Sequence, residues 1–304
     1  FSWIGVFLYK KYAIYTGIIA HQNHRTLHDE PIPRGGGIVF SILFILFMFL
    51  IWPYLELSNN LLLILGVGGG VASLFGFIDD IMNIRARTKL IIQLFLSGWV
   101  VYCLYLDSLF VINWMPIYIM IAACLFFMIW MMNAYNFMDG VDGMAASGAV
   151  FASLTLALVL FLTGNSVELI PIFILIATTV SGFIIFNWPP ATIFMGDAGS
   201  VFLGYIFGAL IIFTTLNGSL SIWNWLIVFG YFFADTTATQ IVRVISIKKW
   251  YLPHRSHAYQ NLARITGSHL KVTSGVTLYN IIWILPLTIL SVLQPEMEIL
   301  AAIL

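Results

Sequence analysis

The chain has 304 residues, of which 61% are hydrophobic and only 9% are charged, and its formal net charge is zero. Soluble proteins carry about a quarter charged residues, so this composition excludes an ordinary soluble domain and favours a polytopic membrane protein. We expect no nucleic-acid partner. The two cysteines, Cys103 and Cys124, lie in apolar runs and are expected to be buried structural thiols.

Apolar runs of about 20 residues, the length that crosses a bilayer as a helix, recur along the chain. We interpret the nine residues before Lys10 as the end of a first spanning helix whose beginning is missing. Further spans are predicted at 36–53, 60–78, 90–106, 116–133, 144–163, 169–186, 200–216, 223–242 and 273–293. The sequence therefore predicts an all-α, single integral membrane domain over 1–304, with ten helices, or eleven if 298–304 begins another.

The loops that would alternate across the bilayer differ sharply in charge. All 13 Lys and Arg residues fall on one side, in the loops 10–34, 79–89, 134–143, 187–199 and 243–271. By the positive-inside rule this side faces the cytoplasm. The long connection 243–271 is on the same side and is too short for a separate soluble domain.

Five carboxylates stand at the ends of predicted spans on this cytoplasmic side. They are Asp79 and Asp80 after one span, and Asp139, Asp142 and Asp197 before two others. The C-terminal end of a helix carries partial negative charge, so adjacent acids there need a cation or a basic side chain nearby. Mg²⁺ binds a few oxygen ligands together with substrate phosphates. The pattern therefore predicts a site for a divalent cation and a phosphate-bearing substrate.

Structural explanations remain open for several of these acids. Asp142 and Asp197 could be N-caps of the helices that follow, because Asp is a favoured N-cap. Asp79 and Asp80 could form a solvated helix end. Asp235 lies inside a predicted span, where a carboxylate either functions or pairs with a buried partner.

The basic side of the predicted site has two parts. One ends at Arg34, just before three glycines, and the other lies in the loop 243–271 with His254, Arg255 and His257. Arginine makes bidentate contacts with phosphate, and histidine can donate to phosphate or transfer protons. A polar loop that touches lipid headgroups would carry such residues too, so this alternative stays open.

Three motifs, in this order along the chain, resemble those of the polyprenyl-phosphate N-acetylhexosamine-1-phosphate transferase family. They are Asp79-Asp80 with Asn83 and Lys89, Asn133-Ala-Tyr-Asn136-Phe-Met-Asp139-Gly-Val-Asp142-Gly143, and Asn187-Trp-Pro-Pro-Ala191 followed by Phe194-Met-Gly-Asp197-Ala-Gly-Ser200. The loop 243–271 lacks the consecutive histidines of the peptidoglycan-precursor translocase branch. With the segment 31–37 it resembles the bacterial O-antigen-initiating branch instead.

The resemblance implies a Mg²⁺-dependent enzyme, with Mn²⁺ as a substitute, in the bacterial inner (plasma) membrane with its active site facing the cytoplasm. It would transfer an N-acetylhexosamine-1-phosphate from a UDP-sugar to undecaprenyl phosphate and release UMP, which initiates O-antigen or other surface polysaccharide synthesis. The family is compatible with a homodimer. The alternative is the phospho-MurNAc-pentapeptide translocase. An ion-coupled secondary transporter is more distant, because no internal repeat is visible.

The resemblance also implies roles for single residues. Asp197 would be a principal Mg²⁺ ligand with Asn136 beside it. The implied catalytic carboxylates are Asp79 near the lipid phosphate, Asp80 near the metal–diphosphate centre, and Asp139 and Asp142. The resemblance assigns no separate role to either of the last two. The implied substrate-binding residues are Arg34, Asn83, Lys89, Asn187, His254, Arg255 and His257.

Overall fold

The computed structural model describes residues 1–20, 32–110, 116–246 and 256–304. Its regular structure is almost entirely helical. One short antiparallel pair joins β1 (Ile19–Ala20) to β2 (Ile32–Pro33). The two-residue strands lie next to the first helix and bring the segment after residue 32 back to the bundle.

The helices, in chain order, are α1 (Ser2–Thr16), α2 (Gly37–Ile51), α3 (Asn59–Leu62), α4 (Gly69–Met82), α5 (Ala86–Leu106), α6 (Ile117–Met138), α7 (Met144–Thr163), α8 (Ile170–Asn187), α9 (Asp197–Leu216), α10 (Ile222–Val228), α11 (Gly230–Ser246), α12 (Ala258–Thr266), α13 (His269–Tyr279), α14 (Leu285–Leu293) and α15 (Glu298–Ile303). Two wider π-helical turns, Leu63–Gly68 and Asn280–Ile284, join α3 to α4 and α13 to α14.

Eight helical segments in the described part of the chain are long and apolar enough to cross a bilayer. They are Gly37–Tyr54, Asn59–Met82, Ala86–Leu106, Ile117–Met138, Met144–Thr163, Val167–Asn187, Asp197–Leu216 and His269–Leu293. Each overlaps one of the predicted spans. The predicted all-α polytopic membrane fold is therefore confirmed, and both cysteines are buried and free as expected.

The predicted continuous span 223–242 is instead two helices. The first, α10, has 7 residues and the second, α11, has 17. They are separated by Phe229, whose φ of −101° and ψ of 16° leave the helical region. Its ring packs 5.2 Å from the ring of Phe207 and 6.0 Å from that of Trp225, and the next residue is Gly230, a weak helix former. Aromatic packing and a glycine therefore interrupt an apolar run that looks uniform in sequence.

The helix α9 forms the centre of the bundle. Its residues from Ala198 to Thr214 are all buried, and it packs against both α4 and α6. A Cβ at Gly204 would lie 2.7 Å from the Cα of Met132 in α6, so this glycine is needed for the close approach. Small residues at such interfaces are how membrane helices pack tightly.

Backbone contacts between α2, α4 and α9 lie at one end of the bundle. A Cβ at Gly76 would overlap the backbone carbonyl of Asp197, and a Cβ at Gly37 would overlap Gly199. The amide of Gly37 also donates to the carbonyl of Met195 at 2.9 Å. These contacts fix the first turn of α9 against the C-terminal half of α4. This end of the bundle carries the polar residues described next.

Candidate active site

The predicted acidic residues converge where the C-terminal ends of α4 and α6 meet the N-terminal ends of α5 and α9. Asp79 and Asp80 lie in the last turn of α4 and are only 3% and 5% exposed. Asp197 is the first residue of α9. The solvated-end alternative for Asp79 and Asp80 is therefore wrong, since both are enclosed by neighbouring helices.

Asp80 occupies the N-terminal end of α9. Its Oδ1 accepts a hydrogen bond from the amide of Asp197 at 2.9 Å, and its Oδ2 accepts one from the amide of Ala198 at 3.1 Å. Arg34 forms an ion pair with the same carboxylate. Helix N-termini have unpaired amides and partial positive charge, so they stabilise an anion in this position. Asp80 therefore caps α9 from a different helix.

The capping alternative for Asp197 is excluded by the same geometry. The N-cap of α9 is Gly196, with a φ of 73°, and no side chain of α9 caps its own helix. A Cβ at Gly196 would also overlap the Asp80 carboxylate. Glycine is therefore required on both conformational and steric grounds, and the Asp197 carboxylate faces other side chains.

Both the side chain and the backbone of Arg34 are held by neighbouring residues. Its guanidinium pairs with Asp80, and its carbonyl oxygen accepts a hydrogen bond from the hydroxyl of Tyr9 at 3.0 Å. Burial alone would lower the pKa of Arg34, but the negative charge of Asp80 raises that pKa above its usual value. The residue predicted to bind substrate is thus a fixed positive charge beside the acids.

Lys89 joins the remaining two carboxylates. Its ammonium pairs with Oδ2 of Asp79 and lies 3.2 Å from Oδ2 of Asp197. The other oxygen of Asp79 accepts a hydrogen bond from the amide of Ile84 at 2.7 Å, just beyond the end of α4. The negative charge at this helix end is therefore offset by basic side chains from the next helix and from the segment before α2.

Asn136 completes the contacts of Asp197. Its Nδ2 donates to Oδ1 of Asp197 at 2.8 Å and to the hydroxyl of Ser200 at 2.9 Å. Sequence reasoning did not select Ser200 as a site residue. Its position three residues after Asp197 on one helix face was the signal that could have found it.

The oxygen atoms that converge on Lys89 fit a hard divalent cation. The described residues contain no cluster of three or more His, Cys, Asp or Glu side chains that could hold a metal. Mg²⁺ nevertheless needs only one or two carboxylates when substrate phosphates and water supply its other ligands. The Oδ2 atoms of Asp79 and Asp197, which already share one cation, are a donor pair of this kind.

Asp139 follows α6 as its C-cap. The residue is half-buried, and loss of solvent around its carboxyl raises its pKa well above the ordinary value. The negative charges of Asp197 and Asp80 raise this pKa further. Asp139 is thus close enough to the cluster to respond to its charge, and its carboxyl retains a proton to higher pH than an exposed aspartate.

We expect Asp139→Asn to stabilise the metal-free protein increasingly as pH rises. An unfolded aspartate ionises near about pH 4, whereas the folded carboxyl ionises at higher pH. Above about pH 4 ionisation therefore favours the unfolded state, and this loss of stability is absent in the variant. Thermal unfolding in EDTA between pH 5 and pH 8 should show a widening difference from wild type. Glu296→Gln, at an exposed carboxylate, is the control, and a difference constant with pH would contradict the prediction.

Asp142 contacts the loop before α9 and the first residue of α13 instead of capping α7. Its Oδ2 accepts a hydrogen bond from the amide of Ala191 at 3.0 Å, and its Oδ1 lies 3.1 Å from Nδ1 of His269. The N-cap of α7 is Gly143, and no side chain caps that helix. His269 was missed in the sequence, although it begins the last span on the basic side of the bundle.

Asn187 also connects two segments of the chain, the start of α7 and the loop before α9. Its Oδ1 accepts a hydrogen bond from the amide of Gly143 at 3.1 Å, and its Nδ2 donates to the carbonyl of Ile193 at 3.0 Å. Asn83 instead ends α4 in the left-handed conformation, with a φ of 49°, and its side chain is exposed. Of these two predicted substrate-binding residues, Asn83 is therefore the accessible one.

His257 lies at the edge of the cluster beside α6. Its ring is buried, is 5.7 Å from the ring of Phe137, and its Nδ1 lies 3.7 Å from Asp235. Asp235 also accepts a hydrogen bond from the amide of Ala258 at 2.8 Å. The alternative of a paired intramembrane acid therefore describes Asp235 in this structure. The predicted residues His254 and Arg255 lie outside the described residues.

A family model described as glycosyl transferase family 4 matches residues 62–215, about half of the chain. The chain belongs to this family. The matched segment of the family 4 transferase runs from the end of α3 to the end of α9. It contains Asp79, Asp80, Lys89, Asn136 and Asp197, the central part of the cluster.

Individual relatives agree with this assignment. The chain is 28% identical over 272 residues to a probable undecaprenyl-phosphate N-acetylglucosaminyl 1-phosphate transferase of Bacillus subtilis (strain 168), covering 86% of this chain and 74% of that protein. It is 30% identical over 269 residues to a phospho-N-acetylmuramoyl-pentapeptide-transferase of Fervidobacterium nodosum, covering 81% and 80%. A protein of the same name from Streptococcus pneumoniae (strain Taiwan19F-14) is 33% identical over 193 residues, covering 59% and 58%. The family resemblance predicted from the motifs is confirmed.

Proposed function

We propose that this family 4 transferase moves an N-acetylhexosamine-1-phosphate from a UDP-sugar to undecaprenyl phosphate and releases UMP. The observation that carries the proposal is the cluster of Asp79, Asp80 and Asp197 with Lys89 and Arg34 at one end of a membrane bundle. Its mixed charge suits a metal and several phosphates together. The name of the Bacillus subtilis relative specifies an undecaprenyl-phosphate acceptor and an N-acetylglucosaminyl 1-phosphate group.

The reaction is a phosphoryl transfer. A phosphate oxygen of the lipid attacks the β-phosphorus of the UDP-sugar, a new P–O bond forms, and the bond to the UMP oxygen breaks. A phosphate monoester has a second pKa of about 6, so this nucleophile is largely ionised near neutral pH and needs little help from a base. Asp79 therefore serves to position the lipid phosphate, and the protein contributes mainly orientation and charge stabilisation.

The described residues have distinct parts in this scheme. Lys89 and Arg34 supply positive charge for the phosphates, and the first two amides of α9 hold the Asp80 carboxylate beside them. Asp79 and Asp197, with Asn136 beside the latter, would hold Mg²⁺. Bound Mg²⁺ would neutralise charge on the diphosphate and make UMP a better leaving group.

The proposed orientation places this end of the bundle at the cytoplasmic face of a bacterial inner membrane. The sequence pattern assigns all 13 Lys and Arg residues to that side. A water-soluble UDP-sugar would approach from the cytoplasm, and the lipid acceptor would approach laterally from the bilayer. The two substrates would therefore meet at the membrane interface, at the depth of Asp79 and Asp80.

Within the family we propose the role of initiating O-antigen or related surface polysaccharide synthesis. The loop that contains His257 lacks consecutive histidines, which distinguishes its sequence from the peptidoglycan-precursor translocase pattern. The phospho-MurNAc-pentapeptide translocase is the second candidate. It is supported by the relative in Fervidobacterium nodosum, whose alignment covers 80% of that protein.

The test is UMP release by detergent-purified protein given undecaprenyl phosphate and either UDP-N-acetylhexosamines or UDP-MurNAc-pentapeptide. Each reaction is run with Mg²⁺ and with EDTA. We expect lipid-dependent and Mg²⁺-dependent release with an N-acetylhexosamine donor. Asp197→Asn should reduce the rate by about a hundredfold or more, because it removes charge at the reacting centre. Glu56→Gln, at an exposed carboxylate, should leave the rate unchanged.

Release only with UDP-MurNAc-pentapeptide would assign the second candidate, and no release with any donor would contradict the transferase proposal. The same assay with Asp79→Asn decides whether a covalent aspartyl intermediate is obligatory. We expect residual turnover in this variant, because the proposed role of Asp79, to orient the lipid phosphate and to share Mg²⁺ with Asp197, is non-covalent and an asparagine keeps one oxygen for it. Complete loss of turnover in a folded Asp79→Asn protein would contradict that role.

A further inference from the structure

The Lys89 ammonium lies between two carboxylates, and a divalent cation bound by the same two carboxylates would take its position. Its ammonium pairs with Oδ2 of Asp79 and lies 3.2 Å from Oδ2 of Asp197, and these acids belong to different helices. Two carboxylates this close to one point repel each other unless a positive charge lies between them. Lys89 therefore stabilises the contact of α4 with α9 in the absence of metal.

A divalent cation held by Asp79 and Asp197 would compete with the Lys89 ammonium for these carboxylates. Both are cations, and a Mg²⁺ ion bound to Oδ2 of Asp79 and of Asp197 would repel an ammonium left at its present position. Lysine is well suited to move away, since its charge stands on a flexible four-carbon stem. The Lys89 side chain is 34% exposed, so a path toward solvent and substrate is open.

Arg34 shows the opposite arrangement. Its guanidinium pairs with a carboxylate that is already fixed by two amides of α9, and Tyr9 holds its carbonyl. A metal held by Asp79 and Asp197 would leave the Arg34 contact with Asp80 intact. Of these two basic side chains, Lys89 is therefore the one positioned to exchange with a metal.

We propose that Lys89 is a displaceable counter-ion: it holds Asp79 and Asp197 in place while the site has no metal, and it releases them when a divalent cation binds. The released ammonium would then lie beside the metal ligands, where the diphosphate of the donor arrives. This inference rests on the proposed function for the identity of that diphosphate, and it deepens the account of the same site. Lys89 acts in it as a positioning residue for the metal ligands.

The test measures binding of Mn²⁺ alone to the detergent-purified protein, by the loss of the electron paramagnetic resonance signal of free Mn²⁺. Lys89→Met removes the competing charge while keeping an apolar stem, and we expect it to bind Mn²⁺ about tenfold more tightly than wild type. Arg87→Met is the matched control, because Arg87 is an exposed basic residue in the same helical turn. The control should bind Mn²⁺ as wild type does.

Thermal unfolding supplies a second readout that needs no activity. In EDTA, Lys89→Met should unfold at a lower temperature than wild type, because its two acids lack a counter-ion. Saturating Mn²⁺ should raise the unfolding temperature of Lys89→Met more than that of wild type. Lys89→Gln also removes the charge but keeps a hydrogen-bond donor beside the two acids, and it should bind Mn²⁺ more tightly than wild type, which keeps the test decisive if Lys89→Met folds poorly.

Equal or weaker Mn²⁺ binding by Lys89→Met would overturn the inference, as would equal tightening in Arg87→Met. Failure of Mn²⁺ to bind any variant, with lipid-dependent UMP release intact, would overturn it and leave the transferase proposal standing. Tighter binding in Lys89→Met without UMP release from wild type would support the inference and contradict the transferase proposal. The two proposals therefore fail by different observations.

Discussion

Asp80→Asn is expected to abolish UMP release and to lower the free energy of unfolding by about 3 kcal/mol or more. The wild-type carboxylate accepts hydrogen bonds from the amides of Asp197 and Ala198 and pairs with Arg34. An amide side chain has one oxygen, so its NH₂ group must face a backbone donor or the guanidinium. The substitution also leaves the partly buried charge of Arg34 without its partner.

A double-mutant cycle isolates this interaction. Arg34→Gln, Asp80→Asn and the double variant are purified in detergent, and their thermal unfolding is followed by circular dichroism. We expect the double variant to lose less stability than the sum of the single losses, because each single change leaves the other member of the ion pair without its partner. Additive losses would show that Arg34 and Asp80 are not coupled, and they would contradict the structural assignment.

Gly76→Ala is expected to destabilise the protein by about 3 kcal/mol and to reduce UMP release strongly. The new Cβ would overlap the backbone carbonyl of Asp197, and a backbone atom cannot move away by changing a rotamer. The last turn of α4 would have to separate from α9. Asp79 and Asp80 lie on that turn, so the separation would draw them away from Lys89 and from the α9 amides.

Gly70→Ala is the matched control on the same helix. A Cβ at Gly70 would have Ile45 Cδ1 at 3.5 Å, which is ordinary van der Waals contact. Alanine is a better helix former than glycine by about 1 kcal/mol, so the control should be unchanged or slightly more stable. Equal behaviour of the two variants in thermal unfolding and in UMP release would contradict the role assigned to the α4–α9 contact.

The helical framework could be predicted from the sequence because each span is an apolar run of bilayer length. The break at Phe229 could not, because Phe229 and Gly230 lie inside such a run and the helix departs from regularity through contacts with Phe207 and Trp225. Hydropathy reports how apolar a segment is. It carries no information about which aromatic ring another helix will present to it.

The gathering of the acids at one end of the bundle could also be predicted, because alternating loops placed them on one side. The partners of each acid could not. Sequence reasoning treated Asp197 as a candidate cap of its own helix, whereas Asp80 caps α9 and Asp197 faces Lys89 and Asn136. Those pairings depend on how closely α4 approaches α9, which is set by single glycines at an interface that periodicity does not reveal.

The capping of α9 by Asp80 affects the order in which contacts form while the chain is being synthesised. Its two backbone donors, in Asp197 and Ala198, are 117 and 118 residues further along the chain, whereas Arg34 precedes Asp80 by 46 residues. During synthesis α4 is therefore inserted well before α9 exists. Of these partners, Arg34 is synthesised before Asp80. The ion pair between Arg34 and Asp80 can therefore form before α9 is synthesised, and it can hold the end of α4 in place until then.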